Sequence, residues 1–182
     1  MKNAFLITII AGIVVAPGRA QDTAATPSAD VPELAALSRL IGKWDSQFEA
    51  KRIEGVTEGE TRKGTAEAGW ILGGRFLRQT WAVEGAGAEP GMSGSSIMTY
   101  DPAKKAYRSW HFVSTGSTSE GEGTYDKATR TITWTARDAN GFRTRTRSSF
   151  AEDGSENWTI TVTDTEGRIV TDMKGKNTRR KP

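Results

Sequence analysis

The chain has 182 residues, with 25 basic and 22 acidic side chains, 1 histidine and no cysteine. The missing cysteine excludes disulfides, thiolate metal sites and cysteine nucleophiles, so a folded state has to rest on a packed core. The high pI overstates basicity: without Lys2 and Arg19, which fall in a segment read below as a signal, 23 basic residues face 22 acidic ones, and no general pull on nucleic acid remains.

Residues 1–20 open with one lysine, continue as an apolar run from Ala4 to Ala16, and end on the small residues Gly18 and Ala20. They read as a secretory signal peptide cut near Ala20–Gln21, which implies a periplasmic or extracellular location. The run falls short of the roughly 20 residues of a membrane span, so no stable membrane insertion is expected. Residues 21–30 are small and polar, a flexible leader. Asp30, Pro32 and Glu33 have the form of a capping box, and Leu34, Leu37, Leu40 and Ile41 recur at helical spacing up to Gly42. One short amphipathic helix is expected there.

From Lys43 the period becomes two. Trp44, Phe48 and Ala50 alternate with polar neighbours, as do Leu77, Trp81 and Val83, then Ile132, Trp134 and Ala136, then Trp158, Ile160 and Val162. Thr, Trp, Ile and Val suit half-buried pleated surfaces, and these segments read as strands. Gly73 and Gly74 separate two alternating segments rather than a strand and a helix, so GWILGGRFLRQTW holds a hairpin turn and not a phosphate loop. In YDPAKKAY and YDKATRTI, Asp101 and Asp126 are placed to bond backbone amides and start tight turns. DANG, EDGS and DTEG put glycines at 141, 154 and 167, where hairpin loops need positive φ. This beat of strand and turn predicts an all-β fold: a single antiparallel up-and-down barrel of about ten strands over residues 31–174, closed because an open sheet would leave bare edges. Residues 175–182 are read as a basic, solvated tail.

LSRLIGKW, in which a short helix runs into Gly42 and Trp44, is similar to the start of the calycin superfamily, the lipocalins and fatty-acid-binding proteins. There the tryptophan closes one end of the barrel. Together with GWILGGRFL, TYDPAKKAYRSW and GTYDKATRTITW, the chain resembles a bacterial family of secreted, calycin-like domains of unknown function over about residues 34–174. The resemblance implies a barrel with a central cavity and brings no agreed activity. It also implies a late arginine, Arg168 or Arg179, packed over Trp44. The related nitrobindin-like barrels bind haem through a late histidine; only Thr, Asp, Lys and Arg stand in the last strands here, so no cofactor is assigned.

For chemistry, His111 is the one imidazole, and the chain has no Gly-x-Ser-x-Gly elbow to supply it with a nucleophile. It reads as structural or ligand-contacting rather than catalytic. One histidine without cysteine makes a poor zinc site. The acid pairs Glu58/Glu60, Glu120/Glu122 and Asp164/Glu166 read as turn decoration, and the Asn157-Trp158-Thr159 sequon is discounted because it sits within a strand. Arg143, Arg145 and Arg147 share one strand face, read as solvated and paired with acids on a neighbouring strand; facing inward, they would bind an anion.

Tryptophans recur on successive strands, which motivates a small-molecule site lined by Trp70, Trp81, Trp110, Trp134 and Trp158, although core filling accounts for them equally simply. Arg78, Tyr107 and His111 would be the polar complements. YRSWHFV leaves open whether Tyr107 with His111 or Arg108 with Trp110 points inward. The function expected is therefore a secreted barrel that binds a small, partly apolar ligand. The alternatives are a hydrolase or isomerase using His111, or a non-catalytic envelope interaction module engaged through Arg143, Arg145 or the tail. No nucleic-acid partner is expected.

Overall fold

A computed structural model describes residues 26–52, 59–85 and 91–180. The signal-peptide reading of residues 1–20, the first half of the leader and Glu58 lie outside these. The chain forms a short N-terminal 3₁₀ helix (Pro32–Leu40) followed by β1 (Gly42–Arg52), β2 (Thr61–Ile71), β3 (Phe76–Val83), β4 (Met92–Asp101) and β5 (Ala106–Val113). Then come β6 (Thr118–Asp126), β7 (Thr131–Asp138), β8 (Arg143–Phe150), β9 (Glu156–Thr163) and β10 (Ile169–Arg179). Each strand pairs antiparallel with the next, and β1 pairs with β10, so the sheet closes on itself. Closure removes the free edges that a sheet of this size would otherwise expose.

The turns follow the side chains that the sequence supplies. Asp101 Oδ1 accepts from the amides of Ala103 and Lys104 at 3.0 and 3.2 Å, and Asp126 Oδ1 accepts from Ala128 and Thr129 at 2.9 and 3.2 Å. Gly141, Gly154 and Gly167 have φ of 86°, 77° and 84°, values that carry no Cβ penalty only in glycine. The β2–β3 hairpin turns through Leu72, Gly73 and Gly74, all at positive φ. A Cβ at Gly74 would sit 2.5 Å from the Thr26 carbonyl oxygen. The second glycine of the pair therefore also admits the leader, whose Ser28 amide donates to the Gly74 carbonyl at 3.0 Å.

Four expectations need correction. The expected short helix forms, as a 3₁₀ helix, but Val31, not Asp30, stands at its N-cap without a side-chain bond. Asp30 instead accepts from Arg75 at 2.6 Å, an ion pair that holds the end of the leader on the β2–β3 turn. The leader is thus docked from Ser28 onward rather than flexible throughout. The basic run is not a solvated tail from residue 175: β10 continues to Arg179, which pairs with Trp44, and alternation puts Asn177 inside while Lys174 and Lys176 face out. The pair Glu120/Glu122 is likewise in strand rather than in a turn, on the outer face of β6, bonded to Arg108 at 3.4 and 3.2 Å.

The helix lies across one end of the barrel. Its buried side chains Leu34, Ala36, Leu37 and Leu40 pack with Val31 against Ala68, Trp70, Leu77, Met98, Tyr107, Ile132, Trp134 and Phe150, the inward residues of that half. Burying a large apolar side chain stabilises by about 1.5–3 kcal/mol, so this plug is the main hydrophobic core.

Candidate functional site

Inward positions behave differently in the half away from the helix. Trp81 and Val83 on β3, His111 and Val113 on β5, Thr144 on β8, Ile160 and Val162 on β9 and Met173 on β10 all have the inward parity of their strands. All are nonetheless only partly buried. Inward residues of a filled barrel would be shielded from solvent; these are not.

Three inward indoles pack over glycines of the neighbouring strand. Trp81, Trp134 and Trp158 are register partners of Gly94, Gly123 and Gly175 on neighbouring strands. A Cβ at those glycines would lie 2.4 Å from the Trp81 ring, 2.6 Å from the Trp134 ring and 2.4 Å from the Trp158 ring. Each indole therefore rests flat on the wall over a bare backbone, an aromatic cover for a strand glycine. Trp134 also meets Tyr107 edge-on at 6.3 Å, and Phe48 tilts against Trp158 at 5.6 Å.

Two polar groups also face inward, the second of them beside Phe150 of the plugged half. His111 lies opposite Ser96, its Nδ1 2.8 Å from Ser96 Oγ, and its Nε2 is 3.0 Å from Ser109 Oγ. Burial lowers its pKa from 6.5, so the imidazole is neutral at physiological pH. A neutral ring donates through one nitrogen and accepts through the other, so one serine donates to it and the other accepts. The second group is a chain on β8, β9 and β10: Trp158 Nε1 donates to Asn177 Oδ1 at 3.0 Å, and Asn177 Nδ2 donates to Glu156 Oε2 at 2.7 Å. Glu156 is 4 % exposed. Burial raises its pKa above 4.5, against the bonds from Ser148 and Asn177 that favour the carboxylate. Tyr107 donates its hydroxyl to the Glu33 carbonyl at 2.8 Å, and burial, then Tyr100, Glu33 and Tyr125, push its pKa up to about 12.

The structure thus separates the predicted site residues. Trp81, His111 and Trp158 point inward and are partly buried, and the open choice on β5 resolves to Tyr107 with His111. Trp70, Tyr107 and Trp134 face inward too, but within the helix plug, where they are 1 %, 5 % and 8 % exposed. Arg78 and Trp110 need correction. Arg78 alternates with the inward Leu77 and Gln79, and Trp110 alternates with the inward Ser109 and His111, so both lie on the outer wall and cannot line the lumen. Outside, Trp110 stacks with Arg108 at 5.9 Å. Sequence reading missed Ser96, Ser109, Glu156 and Asn177. The hairpin turn at 102–105 fixes Ser96 opposite His111, so that partner was within reach of turn-centred pairing. The Glu156 chain was not, because it depends on strand pairs on either side of β9. Arg62, inward on β2 opposite Phe48 and 3.5 Å from Glu60, was also overlooked.

At the plugged end Gly42 has φ of 114°, and a Cβ there would come 2.9 Å from Arg179 Nη1. That glycine lets Arg179 lie 4.3 Å from the Trp44 ring centroid while it donates to the carbonyls of Ile41 and Arg39. Trp44 Nε1 donates to Leu40 at 2.8 Å. Arg179 therefore fills the implied role over Trp44. Arg168, the other candidate, lies in the β9–β10 turn at the opposite end, bonded to Asp164 at 2.6 Å.

The model of a family described as "Protein of unknown function (DUF1579)" matches residues 31–179. The chain belongs to the DUF1579 family. No curated protein matches this DUF1579 chain. Among solved structures it is similar to Rv2717c from M. tuberculosis, at 13 % identity and a TM-score of 0.63, covering 83 % of this chain and 99 % of that one. It is also similar to the S-type phycobiliprotein lyase CPES from Guillardia theta, at 13 % identity and a TM-score of 0.57, covering 80 % of this chain and 90 % of that one. At such identity these likenesses speak for the fold. Among the described residues of this DUF1579 barrel, no helix is long and apolar enough to cross a membrane.

Proposed function

We propose that the barrel binds one small, partly apolar molecule in the half of its lumen away from the helix. The observation that carries this reading is the partial exposure of inward-facing Trp81, His111, Ile160, Val162 and Met173 in a barrel whose other half is sealed. Flat indoles give such a ligand an aromatic wall, and His111 with Ser96 and Ser109 gives it a hydrogen-bonding anchor. Titration with the neutral dye N-phenylnaphthylamine tests the reading: saturable one-to-one binding is expected, lost in Thr146→Trp, which fills the lumen from β8. Dye binding that survives this substitution, or never saturates, overturns it.

A second reading is an enzyme of the hydrolase or isomerase type. It draws on the neutral imidazole of His111 held between two hydroxyls, the state in which it can take a proton. One structural relative is a lyase by name, so the fold does not choose between binder and enzyme. Unchanged turnover of an ester such as p-nitrophenyl acetate in His111→Ala removes this reading. We also propose export, on the pattern of residues 1–20; a mature N-terminus at Gln21, read by mass spectrometry of protein from its native host, supports it, and an intact Met1 terminus rejects it.

A further inference from the structure

The outer wall carries a feature unrelated to the lumen. A groove of about 760 Å³ runs over the outward faces of β5 to β9, lined by arginines 108, 137, 143 and 145 with Glu120, Glu122 and threonines between them. Arg108 is engaged by Glu120 and Glu122. Among the described residues, no carboxylate forms an ion pair with Arg137, Arg143 or Arg145. The acids expected beside the arginine strand are replaced by threonines: Arg145 faces Thr135 on β7 and Thr161 on β9, and Arg143 faces Thr163.

Arg143 also lies directly opposite Arg137. Like charges opposed across an antiparallel pair destabilise a sheet; Glu120 stands opposite Arg137 on its other side, but its ion pair is with Arg108. Directly paired side chains start about 4.5–5.5 Å apart, and Arg145 follows on the same face about 6.7 Å along the strand. Three guanidiniums thus converge on one patch, with the hydroxyls of Thr135, Thr161 and Thr163 beside them. A planar carboxylate is saturated by a single guanidinium fork; a tetrahedral phosphoryl group has three terminal oxygens and takes donors from several sides. The volume suits a small molecule.

We infer that this groove is a second binding site, for a compact anion bearing two or more phosphoryl groups, held by Arg137, Arg143 and Arg145. Glu120 and Glu122 occupy Arg108 and shape one wall of the site.

The test is calorimetric titration of the folded chain with inorganic tripolyphosphate at fixed ionic strength, beside a sedimentation assay with phosphatidylglycerol vesicles. One-to-one binding is expected, weakened tenfold or more in the Arg143→Gln/Arg145→Gln double variant. Arg130→Gln, whose ion pair with Glu152 lies elsewhere, and the lumen-filling Thr146→Trp should both bind as the parent does. Glu122→Gln should tighten binding a few-fold, since it removes one of the two carboxylates on Arg108 and one negative charge beside the site. The inference is overturned by absence of saturation, by equal weakening in Arg130→Gln and the double variant, or by binding to vesicles without binding to tripolyphosphate.

Discussion

The two halves of the lumen are built from the same ten strands and yet are packed differently. Near the helix, Leu37, Leu77 and Ile132 are 0 % exposed, and every inward side chain meets another. In the far half, inward residues of the same strands keep contact with solvent. Strand composition does not set the difference, because both halves have apolar and aromatic residues at inward positions. One half holds the helix and the large side chains packed against it, Trp134 over Gly123 among them. Buried apolar packing is thus concentrated at one end, and the partly exposed inward side chains at the other.

That division can be broken from the plugged side with the largest effect. Leu37→Ala should cost about 2–5 kcal/mol in urea unfolding, as for a cavity opened in a closed core. Next comes the wall. Gly175→Ala puts a methyl group 2.4 Å from the Trp158 ring and 2.7 Å from Phe48 Cβ, and the strain of overpacking should cost about 1–3 kcal/mol. Arg179→Ala removes the cation–π contact with Trp44 at the sealed end, and a loss of about 0.5–2 kcal/mol is expected by the same assay. Val162→Ala in the open half should cost less than about 1 kcal/mol, because its side chain is only partly withdrawn from water. Equal losses for Leu37→Ala and Val162→Ala would show the two halves to be packed alike.

A finer comparison uses pH. His111 has a folded pKa below 6.5, so the unfolded chain binds the proton more readily. Stability is whole above about pH 6.5 and falls as the pH drops below it. Glu156 has the opposite sign: with its folded pKa above 4.5, its contribution is present below that pH and is lost as the pH rises through the folded value. His111→Gln should therefore flatten the stability profile on its acid side. Glu156→Gln, which keeps an acceptor for Asn177, should raise the urea midpoint at pH 8 more than at pH 4.

The barrel was legible because its signals are local. A two-residue period, aspartates at turn starts and glycines at loop positions each dictate backbone geometry within a few residues, and the closed meander follows from their sum. Ser96, Glu156 and Asn177 were hidden because an isolated polar residue in a strand says nothing about its partner across the sheet. The orientation of β5 was hidden for a different reason: Ala106 to Val113 has aromatics at both parities, and only packing against the helix puts Tyr107 inside and Trp110 outside. Asp30 shows a local signal overruled. Its capping pattern is intact, but the Arg75 guanidinium beside it offers a full opposite charge.

The glycines under Trp81, Trp134 and Trp158 also act on alignment. A strand displaced by one residue would bring a side chain beneath each ring, so every such pair is a notch that accepts its indole in a single alignment. The three notches lie on three separate strand pairs, β3–β4, β6–β7 and β9–β10, spread around the wall. The residues that seat the indoles thus also key the strands to one another, and enlarging any of those glycines would put at risk which shape forms as well as how stable it is.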